Sequence, residues 1–260
     1  MKLTTTFSIP RSPYPIRAEN QILCIGSCFA ENMGSRLADL PLAVSNQAMG
    51  TLFHPLNILR ALQPQELKAE ELYKQGDNFV HPDFHSQFMG ADSTSFLAQL
   101  NTLKTNTLEF LKSSQFLVIT WGTAYYYEDK VLGRAIANCH KQLPARFSKH
   151  ISTVEEICAV YEEFLRKRPF LKVIISVSPV RHTRDGMPEN SVSKAILRLA
   201  ADHLAQKFPE QVSYFPAYEI MMDELRDYRF YQADLIHPTD QAVNYIYERF
   251  KITHFDDSML

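Results

Sequence analysis

The sequence predicts an α/β fold, a three-layer α/β/α sandwich built on a mostly parallel, doubly wound sheet. Three observations predict it. Short β-branched apolar runs alternate with longer segments of helical periodicity. The runs are apolar throughout rather than every second residue, as in strands covered on both faces. Polar residues and glycines follow directly after them: Gly26-Ser27-Cys28, Asn46 to Gly50, Gly122-Thr123 and Ser178-Pro179. Open α/β sheets gather ligands at the carboxyl ends of their strands, which is where this punctuation falls.

The elements follow in chain order. Ile22-Leu23-Cys24-Ile25 reads as a strand that stops at Gly26. Phe29, Met33 and Leu37 recur at four-residue spacing, so a helix follows a tight turn. Leu42 to Ser45 is a short second strand, Phe116 to Trp121 a third, Val173 to Val177 a fourth, and Val212 to Phe215 a fifth. Helices are expected over Ser95–Lys112, Thr153–Arg168, Ser191–Phe208 and Asp240–Phe250. Thr153-Val154-Glu155-Glu156 has the capping-box pattern. The third of these helices shows apolar Ala195, Leu199, Leu204 and Phe208. Lys194 and its surroundings read as structural. The stretches 63–92 and 125–152 break the alternation and are read as insertions covering one end of the sheet.

The chain has 260 residues, enough for one large core, and a single domain over 1–260 is the expectation. A net charge of -2 argues against nucleic acid or an anionic membrane surface as partner. No apolar run is long enough to span a bilayer. The N-terminus carries Pro and Arg where a signal peptide needs an unbroken apolar stretch, so a cytoplasmic location is expected. The four cysteines lack metal-site or disulfide-framework spacing and would be free thiols in a reducing compartment.

The chemistry concentrates at two ends of the chain. In Asp234-Leu235-Ile236-His237, a carboxylate three residues before an imidazole can accept from Nδ1, fix the tautomer and leave Nε2 free as a base. Its nucleophile must come from elsewhere, and the turn at Ser27-Cys28 is the best supplier. A side chain there sits at a helix N-terminus, where the dipole and free N–H groups favour a thiolate or an oxyanion.

Ile25-Gly26-Ser27-Cys28-Phe29-Ala30-Glu31-Asn32 resembles the signature of the GSCFA family, a branch of the SGNH/GDSL hydrolase superfamily. Ala48 to Thr51 with His54-Pro55, Trp121 to Ala124, Asn138 to Lys141, and Val177 to Val180 with Asp185-Gly186 resemble its other blocks. The resemblance implies an SGNH hydrolase-like, flavodoxin-like sheet and an esterase or acyl-transfer chemistry needing no cofactor and no metal. It implies that His237 is the base and Asp234 its orienting acid. It also implies an oxyanion hole made by the nucleophile's N–H, the Gly50 N–H and a third-block residue. That third residue is usually Asn, and here Thr123 stands near it. Superposing Gly-Asp-Ser-Leu without a gap puts Cys28 in the serine's place, while a one-residue shift makes Ser27 the nucleophile. Cys28 is preferred because it needs no gap, and Ser27 stays in contention. The substrate expected is a small-molecule or carbohydrate ester, O-acetyl groups among them. A competing reading keeps the cleft as a non-catalytic binding module or scaffold.

Each of these residues has a plainer role available. A cysteine after a strand is usually a small core hydrophobe, and Gly50 can serve only a tight turn. His81-Pro82-Asp83-Phe84-His85 suggests a metal at first sight. No second ligand cluster accompanies it, so an exposed polar loop or lid is expected instead. His85, Asn138, His140, Lys141 and His182 are expected to line the substrate site, His140 and Lys141 facing an anionic group.

Overall fold

A computed structural model describes residues 4–260. The five predicted strands are all present: β1 (Gln21–Gly26), β2 (Ala43–Asn46), β5 (Phe116–Trp121), β9 (Lys172–Val177) and β10 (Val212–Tyr214). They form one parallel sheet in the order β10-β9-β5-β1-β2. Counted along the chain, this is the order 2-1-3-4-5. It reverses direction between β1 and β5, and ligands of such sheets bind outside that switch point.

Alternation along each strand sends side chains to two cores. Leu23, Ile25, Leu117, Ile119, Trp121, Val173 and Ile175 pack under α3 (Ser93–Ser113), α4 (Val154–Arg166) and α5 (Met187–Lys207). Ile22, Cys24, Val118 and Ile174 pack under α1 (Cys28–Ala38) and α7 (Asp240–His254). The sheet is therefore covered on both faces, which is why its strands read as continuous apolar runs. Phe29, Met33 and Leu37 form the buried stripe of α1, and Thr153 caps α4 through the expected box.

Two expectations need correction. The third long helix begins at Met187, not Ser191, and buries a different face. Its inner residues are Asn190, Ser193, Lys194, Leu197, Ala200, Ala201 and Leu204, whereas Ala195 and Leu199 face outward. The stretch 81–85 is not an exposed loop: His81, Asp83 and Phe84 are buried. Asp83 and Glu71 hold Arg60 and Arg134 in a network with contacts of 2.6 to 3.6 Å. This network ties together the two inserted stretches. The first contains the hairpin β3 (Tyr73–Gln75) and β4 (Asn78–Val80). The second contains the antiparallel sheet of β6 (Tyr125–Asp129), β7 (Arg134–Ile136) and β8 (Phe147–Ile151). A short helix that the pattern did not predict, α2 (Pro55–Ala61), joins them through Asn57, which donates to the Ile136 carbonyl at 2.8 Å.

Candidate functional site

The site is assembled where β1, β5 and β9 end. Gly26 closes β1 with φ +140°, and a Cβ there would meet the Thr120 carbonyl oxygen at 2.2 Å. Only glycine lets β1 lie this close to β5 and still turn into α1. The Ser27 N–H still donates to Thr120 O at 2.9 Å, extending the ladder by one residue. Ser27 is then the N-cap of α1 and Cys28 its first residue.

The two nucleophile candidates sit differently. Ser27 is fully buried, and its Oγ has no hydrogen-bond partner among the described residues. Cys28 is half-buried. Its thiol is pushed upward, mainly by burial and also by Glu31. Opposing this are the backbone N–H groups of Phe29 and Cys28 and then the Lys194 ammonium. Those N–H groups are free because the first turn of a helix has no internal acceptors for them.

On the loop entering α7, Asp234 Oδ2 accepts from His237 Nδ1 at 2.6 Å. Asp234 Oδ1 accepts from the N–H groups of Ile236 and His237 at 2.9 and 3.0 Å. Leu235 adopts φ +58°, and this tight turn lets the carboxylate reach back. These bonds, the His237 side chain's first, hold the Asp234 carboxyl down at about 2. His237 is partly exposed, and its Nε2 has no hydrogen-bond partner among the described residues. The loop is pinned to the segment after β9, where the Arg181 N–H donates to Ile236 O at 3.3 Å. Ile236 and Cys28 both pack on the same core cluster. Among the described residues no hydrogen bond joins His237 to Cys28 or Ser27. Such bonds are often long before substrate binds and tighten with it.

The remaining predicted residues divide into two groups. His182 belongs to the site: a Cβ on Gly122 would stand 3.1 Å from its Nε2 and 2.9 Å from Phe53. Its Nε2 is buried without a partner, and burial, then Lys194 and His237, push its pKa down to about 3. It is therefore a neutral imidazole. Gly50 has φ +76° and donates its N–H to Gln47 O at 2.7 Å, so that donor is already engaged in a turn. The Thr123 N–H goes to Phe53 O at 3.2 Å. The Thr123 hydroxyl is paired with Ser193 Oγ at 3.1 Å and receives the Tyr125 N–H at 3.1 Å. Thr123 thus faces α5. His85 packs against Gly50, 2.4 Å from where its Cβ would be.

Asn138, His140 and Lys141 lie in the inserted layer. Asn138 Oδ1 accepts from the His140 N–H at 2.9 Å, and His140 Nε2 pairs with His81 O at 2.8 Å. His140 is buried, so it cannot meet an anionic group as expected, and burial lowers its pKa. Lys141 is exposed. Among the described residues no group of three His, Cys, Asp or Glu side chains could hold a metal ion. Among the described residues no helix is long and apolar enough to cross a membrane.

One residue at this edge was read only as structural. Lys194 is buried, and its Nζ donates to Gly122 O and Ser178 O, both at 2.8 Å. A groove of about 860 Å³ lies elsewhere. It is lined by Ser114, Leu171 and neighbours at the amino ends of β5 and β9, away from all of these groups.

The sequence profile of the GSCFA family matches residues 21–250. No curated protein sequence matches the chain. Among solved structures, a Streptococcus pneumonia protein provisionally described as a platelet activating factor is similar over 90% of this chain and 85% of its own. Its identity is 10% and the TM-score 0.41.

Proposed function

The chain belongs to the GSCFA family, a hydrolase-like family, and from that premise we propose that it is an esterase or acyl-transfer enzyme with Cys28 as nucleophile. The observation that carries the reading is the Asp234–His237 pair, a 2.6 Å bond from Nδ1 that leaves Nε2 available. It sits at the same sheet edge as Cys28, the first residue of α1, where the N–H groups of the first turn have no acceptor inside the helix. Cys28 is favoured over Ser27 because Ser27 is shut into the core.

The chemistry is a two-step transfer. His237 Nε2 takes the proton from Cys28 as the sulfur attacks the ester carbonyl. The carbonyl π electrons move onto oxygen, and that oxyanion is met by the N–H groups of Cys28 and Phe29. The C–O bond to the leaving alcohol breaks as His237 returns the proton to it. Water, or another acceptor hydroxyl, then attacks the thioester with His237 again as base, releasing Cys28. Asp234 holds the imidazole in the tautomer this requires. The acyl group is a short one such as acetyl, carried by a carbohydrate or a small metabolite, as the family resemblance implies.

A second reading, a binding module without turnover, is favoured by the engaged N–H groups of Gly50 and Thr123. Incubation with a panel of aryl and sugar acetates, with mass-spectrometric mapping of a thiol-reactive and a fluorophosphonate probe, separates the two. Turnover lost in Cys28→Ala, with label on Cys28, supports the enzyme. No turnover and no label across the panel leaves the binding module.

A further inference from the structure

We propose that Arg181, with the cavity it shares with Tyr228 and Tyr231, is an oxyanion-binding subsite that holds a phosphate or carboxylate carried by the molecule worked on at His237. That this molecule is an ester rests on the function proposed above. The binding of the oxyanion does not.

Arg181 is tied to the His237 loop twice. Its N–H donates to Ile236 O at 3.3 Å, and its Nη1 donates to Leu235 O at 3.4 Å. Leu235 stands two residues before His237, a span of at most about 7 Å, so the guanidinium lies within about 10 Å of the His237 backbone. The residue after Arg181, His182, is the one whose imidazole stands against Gly122. The opposite wall of the cavity is joined to the same loop. Tyr231 bridges Pro238, the Gln232 N–H donates to His237 O at 2.8 Å, and the Thr239 N–H donates to Phe230 O at 2.9 Å.

The cavity has a volume of about 220 Å³. Arg181, Tyr228 and Tyr231 line it, with Met221, Met222 and Leu225 as its apolar part. The guanidinium is stacked on both rings, its Cζ 4.1 Å from the Tyr231 centroid and 5.3 Å from that of Tyr228. Stacking engages the face of the guanidinium and leaves its five in-plane N–H donors for other partners. The half-buried Arg60, Arg134, Arg146 and Arg249 each meet a carboxylate at 2.6 to 3.1 Å. Arg181 is half-buried too, and among the described residues no carboxylate pairs with it. Asp227, the acidic residue of the lining, is engaged by the side chain and the N–H of Arg229, both at 2.9 Å. The second cation of the lining, Arg226, is exposed and faces Asp223 at 3.7 Å.

Pinning the loop would take one N–H aimed at Leu235 O. It accounts neither for the stack that fixes the fork nor for the donors left over. A planar fork held in one orientation matches two oxygens of a carboxylate or phosphate. The rings and the methionines beside it suit the carbon skeleton that bears such a group. The substrate class is therefore an acyl ester with an oxyanion a short reach from the ester bond.

The first test leaves the chain unaltered. Phenylglyoxal, which modifies arginine, is applied to the full-length protein, and modification of Arg181 is read by peptide mass spectrometry against the exposed Arg184. Phenyl phosphate, benzoate and the neutral benzamide are added in separate arms. Phenyl phosphate, benzoate or both should slow the modification of Arg181, about tenfold at a concentration about ten times the dissociation constant, and benzamide should not. The anion that protects better identifies the oxyanion. No slowing by either anion, or equal slowing by benzamide, overturns the proposal. So does an Arg181 inert to the reagent in the free protein, since the fork must be open to a ligand.

The second test reads selectivity in Arg181→Gln, which keeps an amide donor for Leu235 O and removes the charged fork. The substrates are para-acetoxyphenyl phosphate, para-acetoxybenzoate and the neutral para-acetoxybenzamide. The ratio of kcat/KM for the better anionic ester to that for the neutral one should fall about tenfold or more, the scale of a lost charge-assisted hydrogen bond. An unchanged ratio, whatever the loss of rate, makes Arg181 a pin for the loop and overturns the proposal. Protection of Arg181 by an anion in a protein that hydrolyses no ester retains the subsite and removes the esterase reading. Ester turnover that depends on Cys28, with no protection by either anion, does the reverse.

Discussion

Replacing Asp234 by Asn isolates what the carboxylate does. The amide keeps its oxygen, so it can still accept from the Ile236 and His237 N–H groups at about 2.9 to 3.0 Å, and the turn should hold. The amide nitrogen then occupies the place of Oδ2, 2.6 Å from His237 Nδ1. Two donors cannot share that contact. The imidazole must present Nδ1 as acceptor and carry its proton on Nε2, which removes the base. In serine hydrolases the same change lowers kcat by about 10⁴ through the wrong tautomer. A thiol is easier to deprotonate than a hydroxyl, so a loss of about 10²–10³ is expected here, with KM little changed. The assay is steady-state turnover of the best ester in the panel, together with ¹⁵N shifts of the His237 ring to read the tautomer. Asp234→Ala should be less damaging to the tautomer than Asn, because it leaves Nδ1 free to donate to water. Turnover within about threefold of the unaltered enzyme, or an unchanged tautomer in Asp234→Asn, would refute this account of the pair.

Three further outcomes follow from the same edge of the sheet. Ser27→Ala removes a buried hydroxyl that makes no cap bond and has no partner. Stability should change by less than about 1 kcal/mol in urea unfolding, and turnover should persist, because losing an unsatisfied polar group is nearly neutral. Gly26→Ala puts a methyl 2.2 Å from Thr120 O at φ +140° and should cost about 3 kcal/mol or more, read as a lowered urea midpoint. Lys194 makes stability depend on alkaline pH: its ammonium falls from 10.5 unfolded to about 7 folded. Between those values the unfolded chain binds more protons, so the native state gains stability as pH rises, and the full penalty applies below about 7. At about 1.4 kcal/mol per unit, the unaltered protein should gain about 3 kcal/mol from pH 7 to about 9.5 relative to Lys194→Gln. Parallel stability curves for the two proteins would remove the buried charge from the account.

How much of this was legible in the sequence depends on whether the deciding contact is local. The strands were readable because a sheet covered on both faces needs continuous apolar runs, as in Phe116 to Trp121, all of them buried. The Asp234–His237 pair was readable because three residues of separation suffice to close the bond. Gly26 was readable as a turn, although its closeness to Thr120 was not, since that depends on which strand lies next to β1. The donors of Gly50 and Thr123 were misjudged for the same reason. Their acceptors, Gln47 O and Phe53 O, are set by how loops fold over the sheet edge. The 81–85 stretch looked exposed because its partners, Arg60 and Arg134, are far off in sequence.

Lys194 shows the limit most clearly. On periodicity its helix should turn Ala195 and Leu199 inward, and the structure leaves both outside, Leu199 at 59% exposure. The buried face carries Asn190, Ser193 and Lys194 at its start because that end lies over strand termini rather than strand middles. There the sheet no longer pairs its own carbonyls: Gly122 O and Ser178 O point out of the ladder and need donors. Polar residues on an inward face are therefore what packing at a strand end demands. Apolar spacing over the whole helix is dominated by the hydrophobic remainder, Leu197 to Leu204, and hides that end. A lysine chosen to satisfy two carbonyls could have been replaced by a neutral donor at lower desolvation cost.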